Sequence, residues 1–284
     1  MRIQPALMFP ALVTLAGLAA PDASAPGVWH FARAAVDTPT VRLTLAEAKA
    51  RLAAGTESRP PDLSRTDLSG LDLRGVDFKR ASLVGARLAK AQLAGANLFT
   101  CDLTDAVLSG ADLSNANLDG SVLRRANLER ANLAGASLFA TIIEAADLRG
   151  AQLQNTRIIG YLRSARLAGA NLRNANMGAD PGNQSMGVMR ATFVGADLSG
   201  ADLSGANLYK ADLSHANLSK ARLQGADLRN SELIQADFSG ADLTGAKLDK
   251  ANVDGAVLTG IVGRDQILGF DQTRNRDKAI FNAP

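Results

Sequence analysis

Apolar residues recur at a fixed interval of five from Pro61 onward, and mostly polar residues fill the positions between them. The spacing runs without slippage through residues 61–160, 165–179 and 191–260, which gives 37 blocks of five. The third residue of a block is Leu in 30 of the 37 blocks, and the first is Ala in 28. Because an internal repeat of this length determines the architecture, it predicts a repetitive fold for most of the chain.

Neither regular element accommodates this interval on its own. Five residues of α-helix advance by about 500°, so the leucines would be spread around the whole helix. On one continuous strand, an odd interval places successive leucines on opposite faces. The chain must therefore turn once in every block, with the first and third residues inward and the second, fourth and fifth toward solvent. Gly or Asn at the fifth position, as in Gly200 and Asn115, is suited to that turn.

The repeated Ala-Asp/Asn-Leu-x-x unit, as in Ala196-Asp197-Leu198-Ser199-Gly200, resembles the pentapeptide repeat protein family. The resemblance covers residues 61–260, about 70% of the chain. It implies an all-β solenoid, a right-handed quadrilateral β-helix in which four blocks make one coil of 20 residues. By that resemblance the 37 blocks would form about nine coils, each adding one layer of Leu and Ala to the core.

Both ends of such a stack need covering, because the first and last coils have unpaired backbone groups. Within the N-terminal segment 26–60, Thr44-Leu45-Ala46-Glu47 has the sequence of a capping box, which predicts a capping helix over about 45–54. Residues 261–284 leave the repeat and are expected to form a C-terminal cap or tail. Its apolar residues could fold back over the last coil: Ile267, Leu268, Phe270, Ile280 and Phe281. Partner binding or self-association is the alternative role for both ends.

Two interruptions separate the blocks, at residues 161–164 and 180–190. They are expected to add four and eleven residues to the coils. Insertions in a solenoid are usually loops that leave one face. Each is either a tolerated loop or a recognition element on a rigid support.

Residues 1–25 have the layout of an export signal. Arg2 precedes an apolar stretch over residues 11–20, and Ala23-Ser24-Ala25 has the small-residue spacing of a cleavage site. The stretch is shorter than the roughly 20 residues of a membrane-spanning helix, so no stable membrane insertion is expected. We therefore predict a periplasmic or secreted protein. If the segment is not a signal, the protein would keep an apolar N-terminus and remain cytoplasmic.

Charge and composition exclude several classes of function. The 31 Lys and Arg exceed the 28 Asp and Glu by only three, too few to favour nucleic acid as a partner. Cys101 is the single cysteine, which excludes an intrachain disulfide, and it takes a first position otherwise held by Ala. His30 and His215 are too isolated for a metal or catalytic cluster. No nucleophile–base pattern, phosphate loop or metal-ligand spacing occurs, so we expect no enzyme, no catalytic residue, no cofactor and no metal.

A cluster of apolar residues at outward positions is the candidate partner surface. With a 20-residue coil, five of its members fall on one side of the stack and around the next corner: Phe99, Phe139, Ile159, Val122 and Ile142. Tyr161, the first residue of the interruption, would lie next to them. Clustered apolar groups at a surface indicate interaction sites more strongly than scattered ones. The cluster would bind a protein partner or a second copy of the chain. The alternatives are that such outward residues are tolerated, or that the inserted loop covers them.

These patterns favour a non-catalytic structural or protein-interaction scaffold whose partner is unknown. The alternative comes from the resemblance, because some pentapeptide repeat proteins bind and protect DNA gyrase by mimicking duplex DNA. A mimic of a phosphate polymer should be strongly negative, whereas residues 61–260 carry 21 basic and 21 acidic side chains. An export signal would also separate the protein from gyrase, so the gyrase hypothesis is the less favoured one.

Overall fold

The computed structural model describes residues 40–179 and 189–281, all within one compact unit. The predicted export signal at residues 1–25, His30 and most of the 180–190 interruption lie outside the described residues. The described elements, in chain order, are β1 (Val41–Arg42), α1 (Leu45–Ala53), β2 (Thr66–Asp67), β3 (Ser137–Ile142), β4 (Arg157–Tyr161) and 3-10 helices at Arg264–Gln266, Phe270–Gln272 and Arg276–Lys278. Single parallel β-bridges join the remaining blocks.

Most blocks pair in parallel with the block 20 residues further along the chain. The bridging residues occupy second positions and form four ladders, which we name after their first members: ladder A (Asp62), ladder B (Asp67), ladder C (Asp72) and ladder D (Asp77). The blocks of each ladder make up sides A to D of the stack. A third-position N–H donates to the second-position carbonyl of the next coil, as Leu103 does to Val122 at 2.7 Å. Four blocks therefore make one coil.

The first and third residues of the blocks form the core. Leu103 and Leu108 are completely buried, and so are the first-position residues Ala106 and Ala111. The third-position residues other than Leu are buried as well: Phe78, Ile143, Ile158, Met177, Phe193, Phe238 and Val253. The observed core is therefore the one read from the sequence, and burial of each Leu is favourable by about 1.5–3 kcal/mol.

The fifth residue of a block adopts a left-handed backbone conformation. Gly110 has a φ of 64°, and the non-glycine residues Asn115 and Arg125 have a φ of 55°. The Asp or Asn at the second position supports this turn, because its side chain accepts a backbone N–H two residues on. Asp102, for example, accepts the N–H of Thr104 at 2.9 Å. The repeat pattern of the sequence predicts only that these second-position residues face solvent, and it does not show this hydrogen bond.

The insertion expected at residues 161–164 is wrong. Tyr161 lies in ladder A between Ile142 and Thr192, and Leu162 is a fully buried third-position residue. The ladder spacing at this coil is 19 residues, so the irregularity is one residue missing from the preceding block. Gly160 consequently takes an inward first position, where a Cβ would collide with the Thr141 carbonyl oxygen. The absence of a side chain allows the shortened coil to close.

The second interruption, at residues 180–190, changes the spacing between bridged residues of neighbouring coils. Asn176 of ladder D bridges Asn207, a spacing of 31 residues instead of 20. Eleven residues are therefore added between Ala179 and Ala191. Because Ala179 ends a block of side D and Ala191 begins a block of side A, the chain leaves and rejoins the stack at the corner between these sides.

The N-terminal helix α1 begins with the predicted capping box. The Glu47 N–H donates to Thr44 Oγ1 at 3.3 Å, and the Thr44 N–H donates to the Glu47 carboxylate at 2.7 Å. The helix ends at Ala53, one residue before the predicted end. Ala48 is fully buried and Leu52 packs against the core of the stack, so the apolar face of the helix is joined to the same core.

Residues 262–280 continue the stack. The bridging residues of this last coil pair with the coil before it: Val262, Leu268, Arg274 and Ile280. Its sides are six residues long, because a 3-10 turn follows each left-handed residue: Gly263, Gly269 and Asn275. The expectation that Leu268 and Ile280 fold back over the last coil is wrong, since both lie in ladders and are 52% and 43% exposed. Ile267 and Phe270 are buried, and Phe281 packs partly against the core.

Candidate interaction surface

Three residues of the candidate partner surface are neighbours in ladder A. Val122 bridges Ile142, and Ile142 pairs with Tyr161. Tyr161 is 51% exposed, whereas Val122 and Ile142 are partly buried. Side A therefore presents an apolar row across three consecutive coils.

The other three residues occupy fourth positions of side D. Phe99 is 38% exposed, and Phe139 is partly buried two coils further along. Phe139 pairs with Ile159 in the β3–β4 register. Ile159 is only 2% exposed, so its expected place on the surface is wrong. The physical reason is the residue missing from its block: β4 continues straight to Tyr161, without the left-handed turn that follows most fourth positions.

The fourth-position side chains of side D form a second row, and a cation lies over each of its two phenylalanine rings. The Arg157 guanidinium is 4.2 Å from the centroid of the Phe139 ring. The Lys79 ammonium group is 5.9 Å from the centroid of the Phe99 ring. Such contacts are attractive because the face of an aromatic ring carries negative charge density. Each contact holds a cation against one of the two rings on side D.

Tyr209 belongs to the same row and was missed by the sequence analysis. Lys210 and Arg229 lie 5.4 Å and 5.9 Å from its ring centroid. The interruption at residues 180–190 and the missing residue shift Tyr209 out of the simple 20-residue spacing from Phe139. Counting blocks instead of residues would have placed Tyr209 in the row, because each coil contains four blocks.

The neutral charge of the repeat region is divided unequally among its four sides. Side A has a net charge of −3, side B of +1 and side C of −1. Side D has a net charge of +3, from seven basic residues (Lys79, Arg80, Arg157, Lys210, Arg229, Lys247 and Lys250) and four acidic ones (Asp77, Asp119, Asp227 and Asp249). The charge sum over residues 61–260 concealed this difference between neighbouring sides.

Hydrogen bonds within the stack engage carboxylates of side D. Asp227 accepts two bonds from the Arg229 guanidinium, at 2.9 Å and 2.6 Å. Burial disfavours the ionised form of Asp227, but these bonds outweigh it and lower the pKa. Asp119 accepts the N–H of Phe139 at 2.9 Å, and Asp77 accepts a backbone N–H at 3.1 Å. By contrast, four cations of this side form no ion pair within the described residues: Lys79, Lys210, Lys247 and Lys250.

A second polar region lies on side C and its corner with side B. Two adjoining grooves of about 460 and 410 Å³ are both lined by Arg222. Arg222 pairs with Asp202, and Arg173 lies 3.7 Å from the same carboxylate oxygen. Burial disfavours ionised Asp202, but hydrogen bonds from Arg222 and Ser204 outweigh it and lower its pKa. This region therefore contains one carboxylate paired with two guanidinium groups. Acid–base catalysis instead uses two titratable groups whose environments give them contrasting pKa values.

Cys101 is fully buried and its thiol donates to the Phe78 carbonyl at 3.0 Å. Burial raises the pKa of the thiol to about 12, the opposite of what a reactive cysteine requires. His215 is exposed at a fifth position. Over residues 40–179 and 189–281, no three His, Cys, Asp or Glu side chains cluster so as to hold a metal ion. No helix in these ranges has the length and apolar character to cross a membrane.

A family model for pentapeptide repeats matches the chain in eight copies, over residues 62–98, 101–138, 189–225 and 221–260. The chain belongs to the pentapeptide repeat family. This pentapeptide repeat protein is accordingly a β-helical solenoid, which agrees with its parallel ladders and left-handed turn residues.

Solved structures of other pentapeptide repeat proteins resemble this one. HetL, involved in heterocyst differentiation regulation in the cyanobacterium Nostoc sp. strain PCC 7120, is 33% identical over 84% of this chain and 99% of that chain, with a TM-score of 0.44. QnrB1, a plasmid-mediated fluoroquinolone resistance protein, is 18% identical over 69% and 87%, with a TM-score of 0.39. A protein of the Arabidopsis thaliana thylakoid lumen is 26% identical over 53% and 66%, with a TM-score of 0.22. Comparison with curated proteins finds no match.

Proposed function

We propose that this pentapeptide repeat protein is a non-catalytic scaffold that binds another protein through a side of its coil stack. The observation that supports this most is the row of aromatic and cationic side chains on side D, where Phe99 is exposed and four lysines have no ion-pair partner among the described residues. A solenoid holds such side chains at fixed spacing on a rigid support. Exposed apolar groups that cluster beside polar ones mark interaction sites.

The four ladders support a quadrilateral cross-section, with one ladder on each side. α1 would act as the cap of the first coil, because Ala48 is buried and the Leu43 N–H donates to the Asp67 carbonyl at 3.1 Å. Removing residues 26–56 should then expose the edge of the first coil and cause association. A truncated protein that stays monomeric and equally stable would refute the capping role.

We further propose that the protein is exported and acts in the periplasm or outside the cell, because residues 1–25 have the layout of a signal. Cell fractionation with N-terminal sequencing of the native protein tests this. Cleavage after Ala25 would give an extracytoplasmic protein that begins at Pro26. An intact Met1 on a cytoplasmic protein would contradict export.

The gyrase-binding alternative gains no support from the distribution of charge. Even the most acidic side, side A, has a net charge of only −3 over ten blocks, whereas duplex DNA carries one negative charge per about 1.7 Å. A supercoiling assay with gyrase and a quinolone separates the two hypotheses, since a scaffold without affinity for gyrase leaves quinolone inhibition unchanged.

The proposed function is tested by crosslinking in the native cell followed by recovery of the full chain. A scaffold should yield a specific protein adduct that is lost when side D is altered at Phe99 and Tyr209. Tyr161→Ser, on side A, is the matched control because it also removes an exposed aromatic ring. Recovery of the full chain without any adduct, from cells in which it is abundant, would contradict the proposal.

A further inference from the structure

Side D combines aromatic rings with four lysines that form no ion pair among the residues that the structure describes. Its fourth-position row contains Phe99, Phe139 and Tyr209, each with a cation within 6 Å of the ring centroid. At about 4.8 Å per coil, the five coil steps between Phe99 and Tyr209 correspond to roughly 24 Å. An extended peptide of about seven residues spans that length.

We propose that side D binds an acidic protein segment that carries apolar or aromatic side chains, laid along the axis of the stack. This inference rests on the proposed scaffold function and names the chemistry of its partner. The acidic groups of the segment would pair with the lysines of side D, and its apolar groups would contact the aromatic rings.

Charge complementarity is the first support. Asp227 and Asp119 are hydrogen-bonded within the stack, and the charge of Lys247 helps to lower the pKa of Asp227. Side D nevertheless carries seven basic residues against four acidic ones, so it keeps a net positive charge. Lys210, Lys247 and Lys250 form no ion pair within the described residues, and the last two are exposed. The neighbouring side A has a net charge of −3, so it would repel an acidic segment and confine it to side D.

The geometry of the rings favours a protein segment over single-stranded nucleic acid. Proteins that bind single strands stack bases on the open faces of aromatic side chains. Here Arg157 lies over the face of Phe139 at 4.2 Å, and Lys210 and Arg229 flank Tyr209. A cation over a ring leaves less of that ring for stacking with a base, whereas the lysine ammonium groups can still pair with carboxylates of a protein segment.

The test uses the full chain and a fluorescein-labelled copolymer of Glu and Tyr as the probe, with binding followed by fluorescence anisotropy. Two variants alter side D: the pair Phe99→Ser and Tyr209→Ser, and the triple Lys210→Gln, Lys247→Gln and Lys250→Gln. The matched control removes three cations at the corner of side B that likewise form no ion pair with any described residue: Lys90→Gln, Arg130→Gln and Lys220→Gln. Circular dichroism melting verifies that each variant is folded.

Both side D variants should weaken binding of the copolymer by about tenfold or more, while the control should change it by less than about twofold. Binding should weaken as salt rises, and polyglutamate without Tyr should bind more weakly than the copolymer. Equal loss in the control, or no loss in either side D variant, overturns the inference. Tighter binding of oligothymidine than of the copolymer overturns it in favour of nucleic acid.

Crosslinking in the native cell separates failure of this inference from failure of the scaffold function. If the side D variants lose the copolymer and also lose the native adduct, the inference is supported. If they keep the native adduct that the wild type forms, the scaffold function stands and side D is not its binding surface. If the wild type forms no adduct, the scaffold function itself fails.

Discussion

The Asp119 carboxylate accepts the backbone N–H of Phe139, one coil further along side D, at 2.9 Å. In ordinary blocks the second-position Asp or Asn of the same block accepts this N–H, but Ser137 occupies that position here. Ser137 instead donates its hydroxyl to the same Asp119 oxygen at 2.5 Å. A carboxylate from the neighbouring coil thus replaces the local acceptor and connects two coils beneath the aromatic row.

Asp119→Ala should therefore destabilise the protein by about 1–3 kcal/mol, because it leaves the Phe139 N–H without its charged acceptor. Asp119→Asn keeps an acceptor oxygen and should retain most of the stability. Ser109→Ala is the control, because the side chain of this fourth-position residue makes no hydrogen bond to the described part of the chain. It should change the free energy of unfolding by less than about 0.5 kcal/mol. Chemical denaturation measures all three. Equal values for Asp119→Ala and Ser109→Ala would contradict the assigned role.

Two adjacent alanines should respond in opposite directions to the same substitution. Ala145 has a φ of 56°, a conformation that is strained for any residue with a Cβ, so Ala145→Gly should stabilise the fold by about 0.5 kcal/mol. Ala146 is a fully buried first-position residue, and Ala146→Gly should cost about 1–2 kcal/mol through lost packing and added chain entropy. Melting temperatures measure both. A shift of the same sign for the two variants would refute the turn assignment.

The core layers predict a strong contrast between two leucines. Leu118 is completely buried in the middle of the stack, and Leu118→Ala should cost about 2–5 kcal/mol because the layers above and below cannot close the cavity. Leu268 is 52% exposed in the last coil, and Leu268→Ala should cost less than about 1 kcal/mol. Comparable losses in chemical denaturation would mean that the inward and outward positions are misassigned.

Acid should destabilise the folded state through the turn carboxylates. Hydrogen bonds from the Thr244 side chain and N–H, and from Gln224, hold the pKa of Asp242 below its ordinary value of 3.8. A group whose pKa is lowered by folding contributes stability above its unfolded pKa and loses that contribution as the pH falls through the folded value. The melting temperature should therefore decline below about pH 4. Asp242→Asn keeps the acceptor oxygen but does not titrate, so the melting temperature of this variant should decline less steeply with falling pH. A decline as steep as that of the wild type would mean that protonation of Asp242 does not contribute to the acid sensitivity.

The repeated parts of the fold could be predicted from the sequence because every block has the same pattern of inward apolar and outward polar positions. Third-position residues such as Leu103 and first-position residues such as Ala106 form the inward face, and the pattern within a single block is enough to identify them. The capping box at Thr44 and Glu47 is equally local, and α1 begins where it predicts. The second-position hydrogen bond was missed because burial pattern alone does not show where a side-chain oxygen points.

The irregular parts of the fold depend on how the blocks of neighbouring coils align. Counting in steps of five residues does not predict that alignment. Gly160 ends a block by counting but begins one in the structure, since the residue missing before it lets Tyr161 join ladder A. In the last coil the interval lengthens to six, a change that the spacing of Asp265, Asp271 and Asp277 carries in the sequence. The charge of side D likewise becomes visible only when blocks are assigned to sides.

The most direct test of the account is site-specific photo-crosslinking in the native cell, with benzoylphenylalanine in place of Phe99 or of Ala89. Both residues occupy fourth positions of the same coil, Phe99 on side D and Ala89 on side B. If side D is the surface that binds the partner, the probe at position 99 should capture a discrete protein adduct and the probe at position 89 should capture none. An adduct of equal yield from position 89, or none from position 99 while position 89 gives one, would contradict the account.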